Sequence, residues 1–204
     1  TQQVSSAASD VYKSQILDGR ALADAVDVIA CGIGPGSFTG LRVAVSVAQG
    51  LAWSQDMLVQ GFCSLTAQAH AAGHHGLLQD GDRVLSTIDA QIDQFYGLWG
   101  DWRDGGFVAD GRAFVCAPEG LPAESSRPAT VVIGSGARYQ ERLPDDLASP
   151  AQWLPEVTPD ARVMAELFGG GTLSLQPEPA QALSPQYVQR DIGWKKLPEQ
   201  GRRD

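Results

Sequence analysis

The sequence has no apolar run approaching the ~18 residues that a membrane-spanning helix needs. It has few cysteines: Cys31, Cys63 and Cys116, widely spaced and without a CxxC pair. The first absence leaves no membrane span to expect. The second favours reduced thiols over a disulfide framework. Positive charge is also short, with 15 Lys and Arg against 24 Asp and Glu and a formal net charge of -9. Such a surface repels a phosphate backbone, so the chain by itself is a poor nucleic-acid binder, although it could serve a nucleic-acid enzyme as a subunit. What is present is globular in kind: 43% hydrophobic and 19% charged residues in 204 exclude overall disorder. The 23 glycines and 12 prolines are aperiodic, which excludes collagen and points to many turns. The length fits one large domain or two small ones at roughly 100–200 residues per domain.

The chain opens on Thr1, with no secretory leader in view, and a cytoplasmic setting is expected. Residues 10–25 have helical spacing, with Gly19 as a break. Residues 26–31 read as a short strand, residues 32–40 as a glycine-rich turn, and Leu41 to Ser54 as a helix. A strand is expected over Met57 to Gln60, then a helix N-capped by Ser64 and running to about Ala72. This alternation is that of α/β architecture. After a polar boundary at residues 73–83 the pattern turns to antiparallel strands, Val84 to Ile88 and Gln94 to Trp99, with a hairpin turn at Asp104-Gly105-Gly106 and a continuation over Arg112 to Cys116. Thr130 to Ile133 reads as a buried strand. Thr158 and Pro159 read as the cap and first residue of a helix that stops at Gly169-Gly170-Gly171, and Tyr187-Val188 as a strand.

The segment GPGSFTGLR, Gly34 to Arg42, is the most informative. Glycines between a strand and a helix permit close backbone approach, and a helix N-terminus can hold an anion, so Gly34, Gly36, Ser37 and Thr39 are candidates for a phosphate loop. The plainer reading is a tight turn with Ser37 or Thr39 capping the helix. No GxxxxGK[ST], GxGxxG or GxSxG pattern is present, which favours the turn and cap. In the next helix, Gly40, Ala44, Ala48 and Ala52 form a row of small side chains beside Val43, Val47 and Leu51. A helix this apolar must be covered on most sides, by its own sheet or by a partner chain.

The strings GIGPGSFTGLRVAVSVAQGLA, VLSTIDAQIDQFY and PQYVQRDIGWKKLP together resemble the TsaB (YeaZ) family, over nearly the whole chain. The resemblance implies an α/β fold of two RNase-H-like lobes, that of the actin-like and Hsp70-like (ASKHA) ATPases. It divides the chain into an N-terminal lobe over residues 1–80 and a C-terminal lobe with a basic tail over residues 81–204. Family members begin with a strand and hairpin, so the first lobe is expected to lack its leading strands as given. The implied function is that of a non-catalytic subunit that dimerises with the catalytic TsaD, joined by the ATPase TsaE, in forming threonylcarbamoyladenosine in tRNA. tRNA would then be met only through the complex, and a homodimer is the alternative when the chain is alone. Gly40, Ala44, Val47, Ala48 and Leu51, with the segment Thr1–Leu17, would form the interface. The chain would require no cofactor, with ATP or ADP having a place at the partner interface.

Other candidates read more plainly. His70 and His74 share helical spacing, but Gly73 is expected to end the helix before His74, and no Glu or Cys lies within the run. No metal site and no catalytic residue is assigned. Asp89 reads as a turn cap before it reads as a metal-binding carboxylate. Gly134 and Gly136 stand where that fold has a nucleotide-contacting turn, and close packing explains them equally. Glu119 and Glu124 have no histidine partner. Lys195, Lys196, Arg202 and Arg203 make a basic tail. The rival reading is a nucleotide-dependent phosphotransferase or hydrolase using residues 34–40 and 134–136 as phosphate turns.

Overall fold

A computed structural model describes residues 15, 17–122, 127–148 and 152–188. The interface segment 1–17 and the basic tail therefore lie almost wholly outside the described residues. Asp18 and Gly19 take positive φ angles of 51° and 74° and turn the chain. The chain then makes one helical turn, α1 (Leu22–Ala25).

The first sheet begins with β1 (Val28–Gly34), which runs on through the glycines because Gly32 still pairs with Phe62 of the neighbouring strand. The turn is confined to residues 35–37. Helix α2 (Phe38–Trp53) starts where Ser37 Oγ accepts a hydrogen bond from the Gly40 N–H at 3.3 Å, and Gly50 does not interrupt it. Leu41, Val45, Ala48 and Ala52 are buried, at the four-three-four spacing of one helix face. Val45, Ala48 and Ala52 close a core with Cys31, Met57, Val59, Ala180 and Leu183. Strand β2 (Leu58–Cys63) lies parallel to β1.

Helix α3 (Ser64–His74) comes directly after β2. Cys63 rather than Ser64 holds the cap position, and no side chain caps it. Gly73 stays inside the helix, since a Cβ there would stand 2.0 Å from the Trp102 ring. The glycine admits an indole; it does not break the helix.

The second sheet is larger. Strands β3 (Arg83–Gln91) and β4 (Gln94–Arg103) form a hairpin through Ile92 and Asp93, both at positive φ. Asp104 and Gly105, at φ 51° and 74°, turn β4 into β5 (Gly106–Ala109), and β6 (Phe114–Cys116) pairs with the other half of β4. Strand β7 (Val131–Ile133) is parallel to β3. After a one-turn α4 (Asp145–Ala148), β8 (Gln152–Leu154) lies parallel to β7. Helix α5 (Ala161–Gly169) is capped by Asp160, not Thr158: the carboxylate accepts from Arg162 N at 2.7 Å and Val163 N at 3.4 Å. Strand β9 (Glu178–Pro179) then returns to the first sheet, antiparallel to β2, with its proline on the edge strand.

Two of these placements cut across the division at residue 80. Leu65, Ala69 and Ala72 of α3 are buried against Val84, Leu98, Trp102, Val131 and Ile133 of the second sheet. Gln68 fixes this docking, its Nε2 donating to Ser86 Oγ at 3.0 Å and to Thr87 O at 3.1 Å. Conversely, residues 178–188 come back to the first lobe. A third core, around Leu85, Phe95, Trp99, Val132 and Tyr139, covers the other face of the second sheet.

Candidate functional site

The turn at residues 35–37 faces the β3–β4 hairpin across a cleft of about 730 Å³. One wall is residues 35–39 with Leu41, the other Asp89, Ala90, Gln91 and Tyr96, and Gln186, Tyr187 and Val188 lie along it. This last segment is not the strand its sequence suggests; it is a strap held by specific contacts. Gln186 N donates to Ile33 O at 2.8 Å, and Gln49 Nε2 donates to Leu183 O at 2.9 Å. Arg42 Nε donates to Tyr187 Oη at 3.0 Å while its guanidinium lies 3.9 Å over the Phe38 ring, which in turn packs on Tyr187 at 5.4 Å. Gly34, at φ +127°, is required by this strap, because a Cβ there would meet Gln186 O at 2.7 Å.

The six candidate phosphate-loop residues are divided between the two sides of this cleft, the 134–136 turn standing behind Asp89, whose N–H donates to Ser135 Oγ at 2.9 Å. Gly36, Ser37 and Thr39 line the cleft, and Ser37 spends its hydroxyl on the cap. Gly134 and Gly136 are buried in the second lobe, where added Cβ atoms would stand 2.1 Å from Thr87 O and 2.6 Å from Thr87 Cβ. They are there for close packing. Among the described residues that line the cleft the one charged side chain is the carboxylate of Asp89, and none is Lys or Arg. Asp89 is tied into the second lobe by Arg138 Nη1 at 2.7 Å, Tyr139 Oη at 3.0 Å and its own turn, through Gln91 N at 3.1 Å. Burial first, then the Asp89 hydrogen bond, raises the Tyr139 pKa, keeping the phenol a donor.

The histidines are also separated by the fold. His70 is buried edge-on to Trp102, with neither ring nitrogen hydrogen-bonded among the described residues. His74, which the helix does include, is 3.8 Å from Glu166 on α5. Among the described residues no group of three or more His, Cys, Asp and Glu side chains is placed to hold a metal. Glu119 is occupied by Arg142 at 2.7 Å, whose hydrogen bond lowers the Glu119 pKa; Glu124 lies outside the described residues.

The other site of interest is the outer face of α2. Gly40, Ala44 and Val47 are exposed and Leu51 is half-buried, whereas Ala48 is 5% exposed and belongs to the first-lobe core. In place of Ala48 the outer face carries Val43, from the neighbouring row, and Trp53, which neither row singles out. The signal available was their spacing: Gly40, Val43, Val47, Gly50 and Trp53 succeed one another at three or four residues.

The matches among known proteins carry two names, TsaD and TsaB. A family model described as "TsaD: tRNA N6-adenosine threonylcarbamoyltransferase" matches residues 13–104. The tRNA threonylcarbamoyladenosine biosynthesis protein TsaB of Haemophilus influenzae is 32% identical over 187 residues, covering 85% of this chain and 74% of the relative. The chain belongs to the TsaB family. The Escherichia coli TsaB is 27% identical, covering 97% of this chain and 84% of its own length. The YeaZ structure from Pseudomonas aeruginosa superposes with a TM-score of 0.72 at 30% identity, covering 87% of this chain and 80% of that one. A second Pseudomonas aeruginosa structure, of a protein with similarity to peptidase YeaZ, gives 0.78 at 29% identity, covering 92% and 85%. With these likenesses the two sheets and their helices are the two α/β lobes expected of the ASKHA fold. No helix among the described residues is long and apolar enough to cross a membrane.

Proposed function

We propose that this TsaB-family chain is a cytoplasmic, non-catalytic subunit in the formation of threonylcarbamoyladenosine in tRNA, and that it holds a TsaD-like catalytic partner against the outer face of α2. The observation that carries this is the face itself. Val43, Val47 and Trp53 are 58%, 53% and 72% exposed on one face of the helix, with Gly40 and Gly50 beside them. Contiguous apolar surface of this kind marks an interface. Small residues let a second helix approach closely. A stable contact buries roughly 800 Å² per partner. tRNA is reached through the partner, since a chain of net charge -9 does not attract it. A TsaE-like ATPase joins the pair, the chain itself needs no cofactor, any ATP or ADP sits at the partner seam, and self-association through the same face occurs when the partner is absent.

The test is reconstitution. The purified chain alone should leave tRNA unmodified, should co-elute with a TsaD-like protein, and should restore modification when that protein, a TsaE-like ATPase and the adenylate supply are added. Val47→Glu should abolish co-elution without altering the fold. Modification by the chain alone, or co-elution unaffected by Val47→Glu, would overturn the proposal. The rival phosphotransferase reading needs cations free to face its phosphates; among the described residues the cleft wall offers the Asp89 carboxylate, with Arg138 committed to it at 2.7 Å.

A further inference from the structure

A second cavity, of about 470 Å³, lies away from both α2 and the inter-lobe cleft, where the end of α3 meets the connection from β8 to α5. That volume is in the range of ligand pockets. Ala71 and Leu77 wall it on one side, and Pro155, Val157 and Pro159 on the other. Its polar lining is His75, Glu156, Thr158 and Asp160.

The chemistry of this lining is one-sided. Glu156 is exposed and makes no ion pair among the described residues. Among the described residues no Lys or Arg lines the cavity. Pro155 and Pro159 have no N–H to donate, so that wall has fewer donors than its length would give. An anion at the start of α5 is disfavoured, because Asp160 already accepts from the N–H groups of Arg162 and Val163. Arg162, the nearest cation in sequence, is exposed and not part of the lining. Beside the cavity, His74 faces another carboxylate, Glu166.

We propose that this cavity docks a basic segment of a partner protein, one Lys or Arg laying its aliphatic stem on Leu77 and Val157 and its charged head toward Glu156. Long basic side chains suit such a site, because their stems are apolar and only the tips require polar surroundings. Charge complementarity selects the occupant: an apolar floor with a carboxylate rim and, among the described residues, no Lys or Arg beside it.

The test uses the isolated chain and a short peptide of alternating leucine and lysine, with its leucine–glutamate counterpart as control, monitored by backbone amide NMR. The lysine peptide should give saturable shifts at His75, Leu77, Val157 and Ala161, weakening as salt is added. Glu156→Lys replaces attraction by repulsion at an exposed position, so the fold should persist and affinity should drop about tenfold. Val47→Glu should change nothing, which separates this site from the α2 interface. Shifts elsewhere, equal binding of the glutamate peptide, or an affinity untouched by Glu156→Lys would each overturn the proposal.

Discussion

Replacing His70 by leucine should stabilise the protein and remove part of its sensitivity to acid. His70 lies on α3, 2% exposed, and both of its ring nitrogens lack hydrogen-bond partners among the described residues. A neutral imidazole carries one donor and one acceptor, and each left unsatisfied in a core costs about 1–3 kcal/mol. Leucine removes both. It forfeits the edge contact with Trp102, at 5.9 Å between centroids, worth ~0.5–1.5 kcal/mol, and misfit in shape costs about as much again. The net gain is about 1–3 kcal/mol, and a chain of this size gains ~2–4 °C in Tm per kcal/mol. The pH dependence has a definite sign. Burial lowers the folded-state pKa of His70 below 6.5. Below pH 6.5 the unfolded chain therefore binds a proton that the folded chain refuses, and stability is lost as pH falls from 6.5 toward the folded-state value. Urea titrations at neutral pH and at mildly acid pH should show His70→Leu more stable at both, by the larger margin in acid. Equal or lower stability with an unchanged pH slope would mean that the imidazole has a polar partner, and the reasoning fails.

Three further outcomes are set by the packing. Gly134→Ala should cost about 3 kcal/mol or more in urea denaturation, since its Cβ would stand 2.1 Å from Thr87 O on a backbone at φ +90°. Asp101→Ala should cost about 3–5 kcal/mol, because Arg83, 1% exposed, would lose one of its two carboxylate partners while its Nε and Nη2 are already unpaired; Asn at the same position should cost less. Val47→Glu should shift stability by no more than ~0.5 kcal/mol, whereas Ala48→Glu should unfold the first lobe at mild denaturant, a contrast that circular dichroism can read.

Local chemistry made much of the fold legible. The strand, turn and capped helix of residues 28–53 arise from β-branched residues, glycines and Ser37, and the β4–β5 turn arises from Asp104 and Gly105. What was hidden is non-local. Gly73 looks like a helix breaker until Trp102, 29 positions later, is seen to occupy its open side. At the start of α5 Thr158 looks like the cap until Asp160 is seen to reach two N–H groups. The return of residues 178–188 rests on a two-residue strand and a tyrosine that meets Phe38 and Arg42, contacts with no local period. The candidate site was half legible for the same reason: Gly34 and Gly134 look alike in sequence, yet one makes room for Gln186 and the other for Thr87 and Gln68.

The misassignment of Ala48 has a geometric cause that sharpens the interface. A helix turns about 100° per residue, so residues four apart are offset by ~40°, and a row taken every fourth residue winds around the axis. Gly40 and Ala44 begin that row in solvent; Ala48 and Ala52 end it in the core. The face that stays outside advances by steps of three or four, which selects Gly40, Val43, Val47, Gly50 and Trp53. Two glycines flank two valines along it, leaving low points into which the ridge of another helix can enter. A partner helix would therefore approach closest at Gly40 and Gly50, where added Cβ atoms meet nothing beyond Ser37. Gly50→Leu tests this. It should leave the fold intact, and even favour the helix by up to ~1 kcal/mol, while weakening association with the TsaD-like protein in a titration. Unchanged association would place the contact on some other surface.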